Sequence, residues 1–241
     1  MEVNYTYTDV LAAFGVGGAH PGSLSLTKKI VKNLGINEQK RILDVGCGTG
    51  QTAAYIAETY DCHVTGLDPH QGMLDKMEQR LNDATLKVHM VQGEAEALPF
   101  DNQSFDIILS ESVTSFTDAP QSLKEYARVL KRDGMLVMLE MTKRKDATIE
   151  DIDALKEFYG IKYILEEREW MTYLKEAGFH EVKVNRVAPL EMRADTEFDL
   201  LDDIDDGLFD IMVRHQELIE TYEATLGANI YFCEKGNKVD E

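Results

Sequence analysis

Arg41-Ile-Leu-Asp-Val-Gly-Cys-Gly-Thr-Gly-Gln-Thr52 is the stretch that decides the fold of this chain. Ile42 to Val45 is a short apolar run holding one acid, Asp44. It feeds three glycines at alternate positions, Gly46, Gly48 and Gly50, and a small-residue helical pattern of Ala53, Ala54, Ile56 and Ala57 follows. The order is strand, turn, helix. In an open parallel sheet, ligands sit outside the carboxyl ends of the strands, and glycines there let the backbone approach them closely.

The same rhythm continues downstream. His63 to Leu67 is a second strand, ending in Asp68-Pro69, and Met73, Leu74, Met77 and Leu81 mark a helix. Leu86 to Val91 is a third strand, followed by the turn Gly93-Glu-Ala-Glu-Ala-Leu-Pro-Phe100. Phe105 to Ser110 is apolar at almost every position, as burial on both sheet faces requires. A helix over Leu123 to Leu130, a turn at Arg132-Asp-Gly134 and a strand over Met135 to Leu139 complete the regular part. Strands alternating with helices at this interval imply right-handed crossovers, and so an α/β doubly wound, Rossmann-like sheet with helices on both faces.

Upstream, residues 1–22 combine aromatics (Tyr5, Tyr7, Phe14) with a bend, Gly15-Val-Gly-Gly-Ala-His-Pro-Gly22, that cannot hold regular structure for long. A helix capped by Ser23 or Ser25 and ended by Gly35 then covers the first strand. Beyond Glu140 the pattern loosens into helices near Ile149 to Phe158 and Trp170 to Ala177, and strands at Val182 to Val187 and Asn229 to Cys233. Two insertions, 141–166 and 189–227, flank the penultimate strand, the second carrying Asp195, Asp199, Asp202, Asp203, Asp205, Asp206 and Asp210. The expectation is one domain over 1–241, with residues 1–34 as arm and covering helix and the two insertions as a substrate cap.

Composition excludes several classes. Twenty-five Lys plus Arg against 44 Asp plus Glu give a net charge of -19, a field that repels nucleic acid and either fits a cationic or neutral ligand or simply keeps the protein soluble. Cys47, Cys62 and Cys233 form no disulfide framework and no metal set, so no metal is expected and a reducing cytoplasm is the natural compartment. No uncharged run is long enough to cross a bilayer. A soluble monomer or homodimer is expected, with no membrane partner.

The motifs from Ile42 to Gly50, the acid Asp68, the turn from Gly93 to Phe100, Phe105-Asp-Ile-Ile108 and Arg128-Val-Leu-Lys-Arg-Asp-Gly134, in this order, resemble the class I methyltransferases that use S-adenosylmethionine. The resemblance is strong over Leu24 to Glu140. It implies a seven-stranded sheet, mostly parallel, whose last strand is antiparallel, and a cytoplasmic enzyme transferring a methyl group to an O, N or C atom of a small-molecule acceptor.

It also distributes roles. S-adenosylmethionine offers an ammonium, a carboxylate, two ribose hydroxyls, an adenine and a sulfonium. The turn of Gly46, Cys47, Gly48 and Gly50 would pass against its methionine part and ribose. Asp44 would accept from the ammonium, or alternatively brace the turn. Asp68, followed by Pro69, would take the ribose hydroxyls. Gly93 leads into Glu94-Ala95, the pair expected at the adenine edge, and Met73 is a candidate for the adenine face or the core. Glu96 is expected to face solvent or to cap. Cys47 has no base near it in sequence and counts as a packing residue of the turn rather than a nucleophile.

On the acceptor side, Ser110-Glu111-Ser112 follows the fourth strand where the resemblance places the transferred methyl. Ser110 counts with the cofactor contacts. Glu111 is a candidate to orient or deprotonate the acceptor or to stabilise a cationic one, against the alternative that it holds nearby backbone. His20, in its glycine-rich loop, is the second candidate catalytic residue. Methyl transfer needs chiefly in-line positioning, so a dedicated base is optional. Two other classes stay open. An NAD(P)-dependent oxidoreductase shares the acid beyond a glycine turn, but its fingerprint wants two residues between the second and third glycines, where only Thr49 stands between Gly48 and Gly50. A non-catalytic cofactor-binding module is the third.

Overall fold

The computed structural model describes residues 5–81, 86–144, 146–192, 205–222 and 225–236. The glycine turn lies where the sequence puts it, between β1 (Arg41–Val45) and α3 (Gln51–Tyr60). Gly46, Gly48 and Gly50 all have positive φ, at 66°, 51° and 76°. Two of them are also sterically obliged. A Cβ on Gly46 would lie 2.3 Å from Val113 Cγ2, and one on Gly50 would lie 2.4 Å from Met77 Cγ.

β2 (His63–Asp68), β3 (Val88–Gln92), β4 (Phe105–Glu111), β5 (Leu130–Lys143), β6 (Glu181–Arg186) and β7 (Leu226–Glu234) join β1 in one seven-stranded sheet of order β3-β2-β1-β4-β5-β7-β6. β1, β2, β3, β4 and β5 pair in parallel, while β7 is inserted antiparallel between β5 and β6. The doubly wound, mostly parallel sheet with an antiparallel last strand is therefore observed. Strand order reverses between β1 and β4, and the carboxyl ends of these strands open a crevice there.

Both sheet faces are covered. On one, α2 (Ser23–Val31), α3 and α4 (Gln71–Leu81) bury Ile30, Ile56, Leu74 and Met77 against β1, β2 and β4. On the other, α5 (Ala119–Val129) and α7 (Glu167–Glu176) bury Leu123, Tyr126 and Trp170. Each large apolar side chain so buried contributes roughly 1.5–3 kcal/mol.

Three features differ from the sequence expectation. Neither Ser23 nor Ser25 caps α2, whose N-cap is the left-handed Gly22 with no side-chain bond. The arm contains a helix, α1 (Tyr7–Ala13), started by a capping box in which the Thr6 hydroxyl accepts the Asp9 amide and the Asp9 carboxylate accepts the Thr6 amide. Four consecutive residues carry that signal and the aromatics around it obscure it. Arg132-Asp-Gly134 is not a turn but part of β5, reached through a register irregularity opposite Phe105 and Ile107. A Cβ on Gly134 would meet Asp106 O at 2.9 Å, so the glycine serves close strand approach.

The second insertion is described in part. Its α8 (Pro189–Met192) and α9 (Asp206–Tyr222) are helical, while Asp195, Asp199, Asp202 and Asp203 lie outside the described residues; the first insertion holds α6 (Ile149–Tyr159). α9 packs behind α1 through Leu208, Ile211 and Met212 against Val10, Phe14 and Val16.

Candidate active site

The turn is tied to the neighbouring strand before any ligand is considered. The Gly46 and Cys47 amides both donate to Leu67 O, at 2.7 and 3.1 Å. The Gly48 amide donates to Asp68 Oδ2 and the His70 amide to Asp68 Oδ1, each at 2.9 Å. Asp68 is thus held by two main-chain donors at the end of β2, with further lone pairs on both oxygens. Burial raises its pKa, and the two amides oppose that shift.

Asp44, at the end of β1, is 3% exposed. Its Oδ2 has no hydrogen-bond partner. Burial, followed by the nearby Glu111 and Asp68 charges, raises its pKa well above the usual carboxylate range, and the Ala53 amide offsets this only in part. A buried acid left in this state is costly unless a cation joins it. Gly48 faces the same space: a Cβ built on it meets nothing within 4 Å. The orphaned acid and the open glycine make a cradle for a cationic, closely approaching group.

Glu111 closes the floor at the end of β4. Its Oε1 accepts from the Thr27 hydroxyl at 2.7 Å and its Oε2 from the Thr52 hydroxyl at 3.1 Å. His20 Nε2 lies 3.5 Å from Oε2, and the His20 side chain is 5% exposed. One carboxylate thereby joins α2, α3, β4 and the glycine-rich loop. That loop approaches α3 so closely that a Cβ on Gly17 would lie 2.9 Å from Gln51 Cδ.

These groups line one cavity of about 390 Å³. Eleven of the fourteen site residues expected from the sequence stand in its wall: Glu111, His20, Asp44, Gly46, Cys47, Gly48, Asp68, Pro69, Met73, Glu94 and Ala95. Gly50, Gly93 and Ser110 do not line it. Gly50 starts α3 over Met77, a Cβ on Gly93 would meet Leu67 Cδ1 at 3.2 Å, and the Ser110 hydroxyl is fully buried 2.9 Å from the Thr114 hydroxyl. Met73 belongs to the cavity, whereas Met77 fills the core beneath it.

The Cys47 sulfur sits 3.5 Å from Met77 Sδ, and burial pushes its thiol far up, so it is a packing group and not a thiolate. Glu96 Oε1 accepts the Asp118 amide at 2.8 Å, at the start of α5, which is a capping role.

Other residues of the site escape sequence reading. Thr27 and Thr52, which hold Glu111, stand 84 and 59 positions from it. Lys162 and Phe116 reach the wall because the Lys162 and Tyr163 amides donate to Ser115 O, beside the 3-10 turn Thr114–Phe116. That turn is itself held by Glu140, fully buried, which accepts from the Thr114 amide at 2.8 Å and from the Ser115 hydroxyl. Burial pushes the Glu140 carboxyl up to about 7. Tyr7 of α1 lines the roof, edge-on to Tyr159 at 4.8 Å between ring centroids.

Among the described residues no group of His, Cys and acids could hold a metal ion, and no helix is long and apolar enough to cross a membrane.

Comparison with known proteins shows the family and the fold. A methyltransferase-domain family model matches residues 43–138. An uncharacterized methyltransferase of Bacillus subtilis (strain 168), YodH, is 37% identical over 232 residues, covering 95% of this chain and 99% of its own. A ubiquinone/menaquinone biosynthesis C-methyltransferase, UbiE, of Campylobacter jejuni is 34% identical over 180 residues, 62% of this chain and 74% of that protein. Among solved structures, phosphoethanolamine N-methyltransferase 2 of Haemonchus contortus, in complex with S-adenosyl-L-methionine, superposes with a TM-score of 0.81 at 20% identity. The match covers 98% of this chain and 59% of that one, and the likeness is one of fold. On the relative aligned along nearly its whole length and on the matched domain, the chain belongs to the class I S-adenosylmethionine-dependent methyltransferases.

Proposed function

We propose that the cavity binds S-adenosylmethionine against the ends of β1, β2 and β3 and delivers its methyl group to an O, N or C atom of a small acceptor. The observation that carries this reading is the buried, unpartnered Asp44 Oδ2 beside the open face of Gly48. Asp44 would accept from the donor's ammonium, which relieves the cost of its burial. The Gly46–Gly48 backbone would lie against the methionine part and ribose. Asp68, already oriented by the Gly48 and His70 amides, would accept from the ribose hydroxyls. Pro69, Met73 and Ala95 would enclose the adenine, with Glu94 at its edge.

Bound there, S-adenosylmethionine supplies an electrophilic methyl group on a sulfonium. The chain's own part is positioning and the exclusion of water. Glu111 is held by two hydroxyls and lies near His20, so it keeps the glycine-rich loop, α2 and α3 in place around the reacting space. An already nucleophilic acceptor then needs chiefly alignment. A cavity of about 390 Å³ is at the small end of the roughly 300–1,000 Å³ usual for ligand sites. The remainder of the reading is a soluble, cytoplasmic enzyme acting as monomer or homodimer, with α6 and α9 as the outer part of a cap over α1.

Calorimetric titration tests the donor assignment. S-adenosylhomocysteine should bind saturably at one site and NADH should not bind. Asp68→Ala should weaken the former about ten- to a hundredfold, the loss expected for hydrogen bonds to a charged group worth about 1.5–3 kcal/mol. Binding of NADH in place of S-adenosylhomocysteine would assign the fold to the oxidoreductase class.

A further inference from the structure

Four of the buried polar atoms that lack a hydrogen-bond partner belong to residues of this one cavity wall: Asp44 Oδ2, His70 Nδ1, Glu96 Oε2 and Ser112 Oγ. Asp44 and His70 lie at strand ends proposed for the donor, and Glu96 is engaged through its other oxygen at the start of α5. Ser112 belongs to neither group. It follows Glu111 at the end of β4, on the side away from β2 and β3, and its backbone is left-handed, with φ at 58°. Its amide donates to Leu139 O at 2.7 Å, which fixes that conformation. A strained non-glycine residue whose hydroxyl is buried and unpaired is the pattern of a group kept for a ligand.

The rest of the same cavity wall has its own chemistry. Val113 and Phe116, close in sequence to Ser112, and Leu11 and Tyr7 of α1 are among its apolar residues. Its cationic residue is Lys162, tethered to the 3-10 turn by the bond from its amide to Ser115 O at 2.8 Å. Lys162 is the one Lys or Arg in the described wall, and no acid pairs with it among the described residues. The acids of the wall, Asp44, Asp68, Glu94, Glu96 and Glu111, belong to the donor side or are already engaged.

We infer that the methyl acceptor is a small organic anion, an oxyanion on an apolar body, recognised by the Lys162 ammonium and the Ser112 hydroxyl. The inference rests on the methyltransferase reading and adds the acceptor's class to it. It departs from what the net charge of -19 suggests, because recognition is decided within a Debye length of about 8–10 Å. Within that range a donor carrying a sulfonium and an ammonium against one carboxylate also offsets the acids around it. An oxyanion is satisfied here by two donors, whereas an ammonium would face Lys162.

The test compares benzoate, benzyl alcohol and benzylamine, which share a ring and differ in charge, by calorimetry on protein saturated with S-adenosylhomocysteine. Benzoate should bind about tenfold or more tighter than benzylamine, with benzyl alcohol between them. Lys162→Glu, at an exposed position, should reverse the order. Ser112→Ala and Ser112→Gly should both weaken benzoate several-fold, although glycine relieves the backbone strain; a purely structural serine would be improved by glycine. Three results would overturn the inference: no saturable benzoate binding, benzylamine equal or tighter on the unaltered protein, or an unchanged order in Lys162→Glu. Failure of S-adenosylhomocysteine to bind would instead remove the donor assignment on which the inference stands.

Discussion

The two halves of the cavity are built in opposite ways. The half proposed for the donor comes from the ends of adjacent strands, and each contribution is a contiguous motif: Asp44 to Gly48, Asp68 to Pro69, and Glu94 to Ala95. The half proposed for the acceptor is assembled from α1, the loop around His20, the segment from Ser112 to Thr117 and Lys162, pieces far apart in the chain that meet only in the fold. The first half is set by sheet geometry and backbone. The second is set by side-chain bonds between elements, and there one chain can come to differ from another while the sheet stays the same.

Substitutions at the glycines separate scaffold from donor site. Gly50→Ala places a Cβ 2.4 Å from Met77 Cγ at a φ of 76°, so strain and overpacking together should cost about 3 kcal/mol in denaturant unfolding. Gly48→Ala meets nothing within 4 Å and should lose only the left-handed strain, about 1–2 kcal/mol. Its methyl group enters the cavity, however, and S-adenosylhomocysteine affinity should fall at least about tenfold. If Gly48→Ala binds as the unaltered protein does, the donor does not approach that face.

Glu140 probes the acceptor half. Its folded-state pKa, about 7, lies above the ordinary glutamate value of 4.5, so folding favours the protonated form. The associated stability is fully present below about 4.5 and is lost as pH rises through about 7, a change of at most about 3 kcal/mol. Melting temperature followed across that window should fall with pH in the unaltered protein, and Glu140→Gln should flatten this part of the profile. Because Glu140 holds Thr114 and Ser115, the variant should alter acceptor affinity more than donor affinity.

The smallest effect is expected at the roof. Thr6→Ala removes the capping box of α1 and should cost about 1 kcal/mol. Hydrogen exchange in Tyr7–Ala13 should quicken while the strand ends stay protected.

What the sequence made legible follows the same division. The parallel sheet and the strand-end wall of the cavity are readable because strand ends, glycines and acids sit within a few residues of one another and obey the periods of their elements. Gly50, Gly93 and Ser110 share those motifs yet lie outside the wall, because adjacency in sequence does not say which way a residue faces at a turn. Thr27, Thr52, Lys162 and the left-handed Ser112 carried no local signal. Thr27 is an ordinary residue of an amphipathic helix until Glu111 arrives beside it from β4. α1 is obscured by the aromatics around its start, although Thr6 and Asp9 spell its capping box.

The central claim is that the unpartnered Oδ2 of Asp44 is the seat of the donor's ammonium. The most direct measurement is a calorimetric comparison of S-adenosylhomocysteine with methylthioadenosine, which lacks the amino-acid part, on the unaltered protein and on Asp44→Asn. The account predicts that the unaltered protein prefers S-adenosylhomocysteine by about tenfold or more and that Asp44→Asn collapses the preference while leaving methylthioadenosine binding nearly unchanged. An Asp44→Asn protein that weakens both ligands equally, or keeps the full preference, would contradict it.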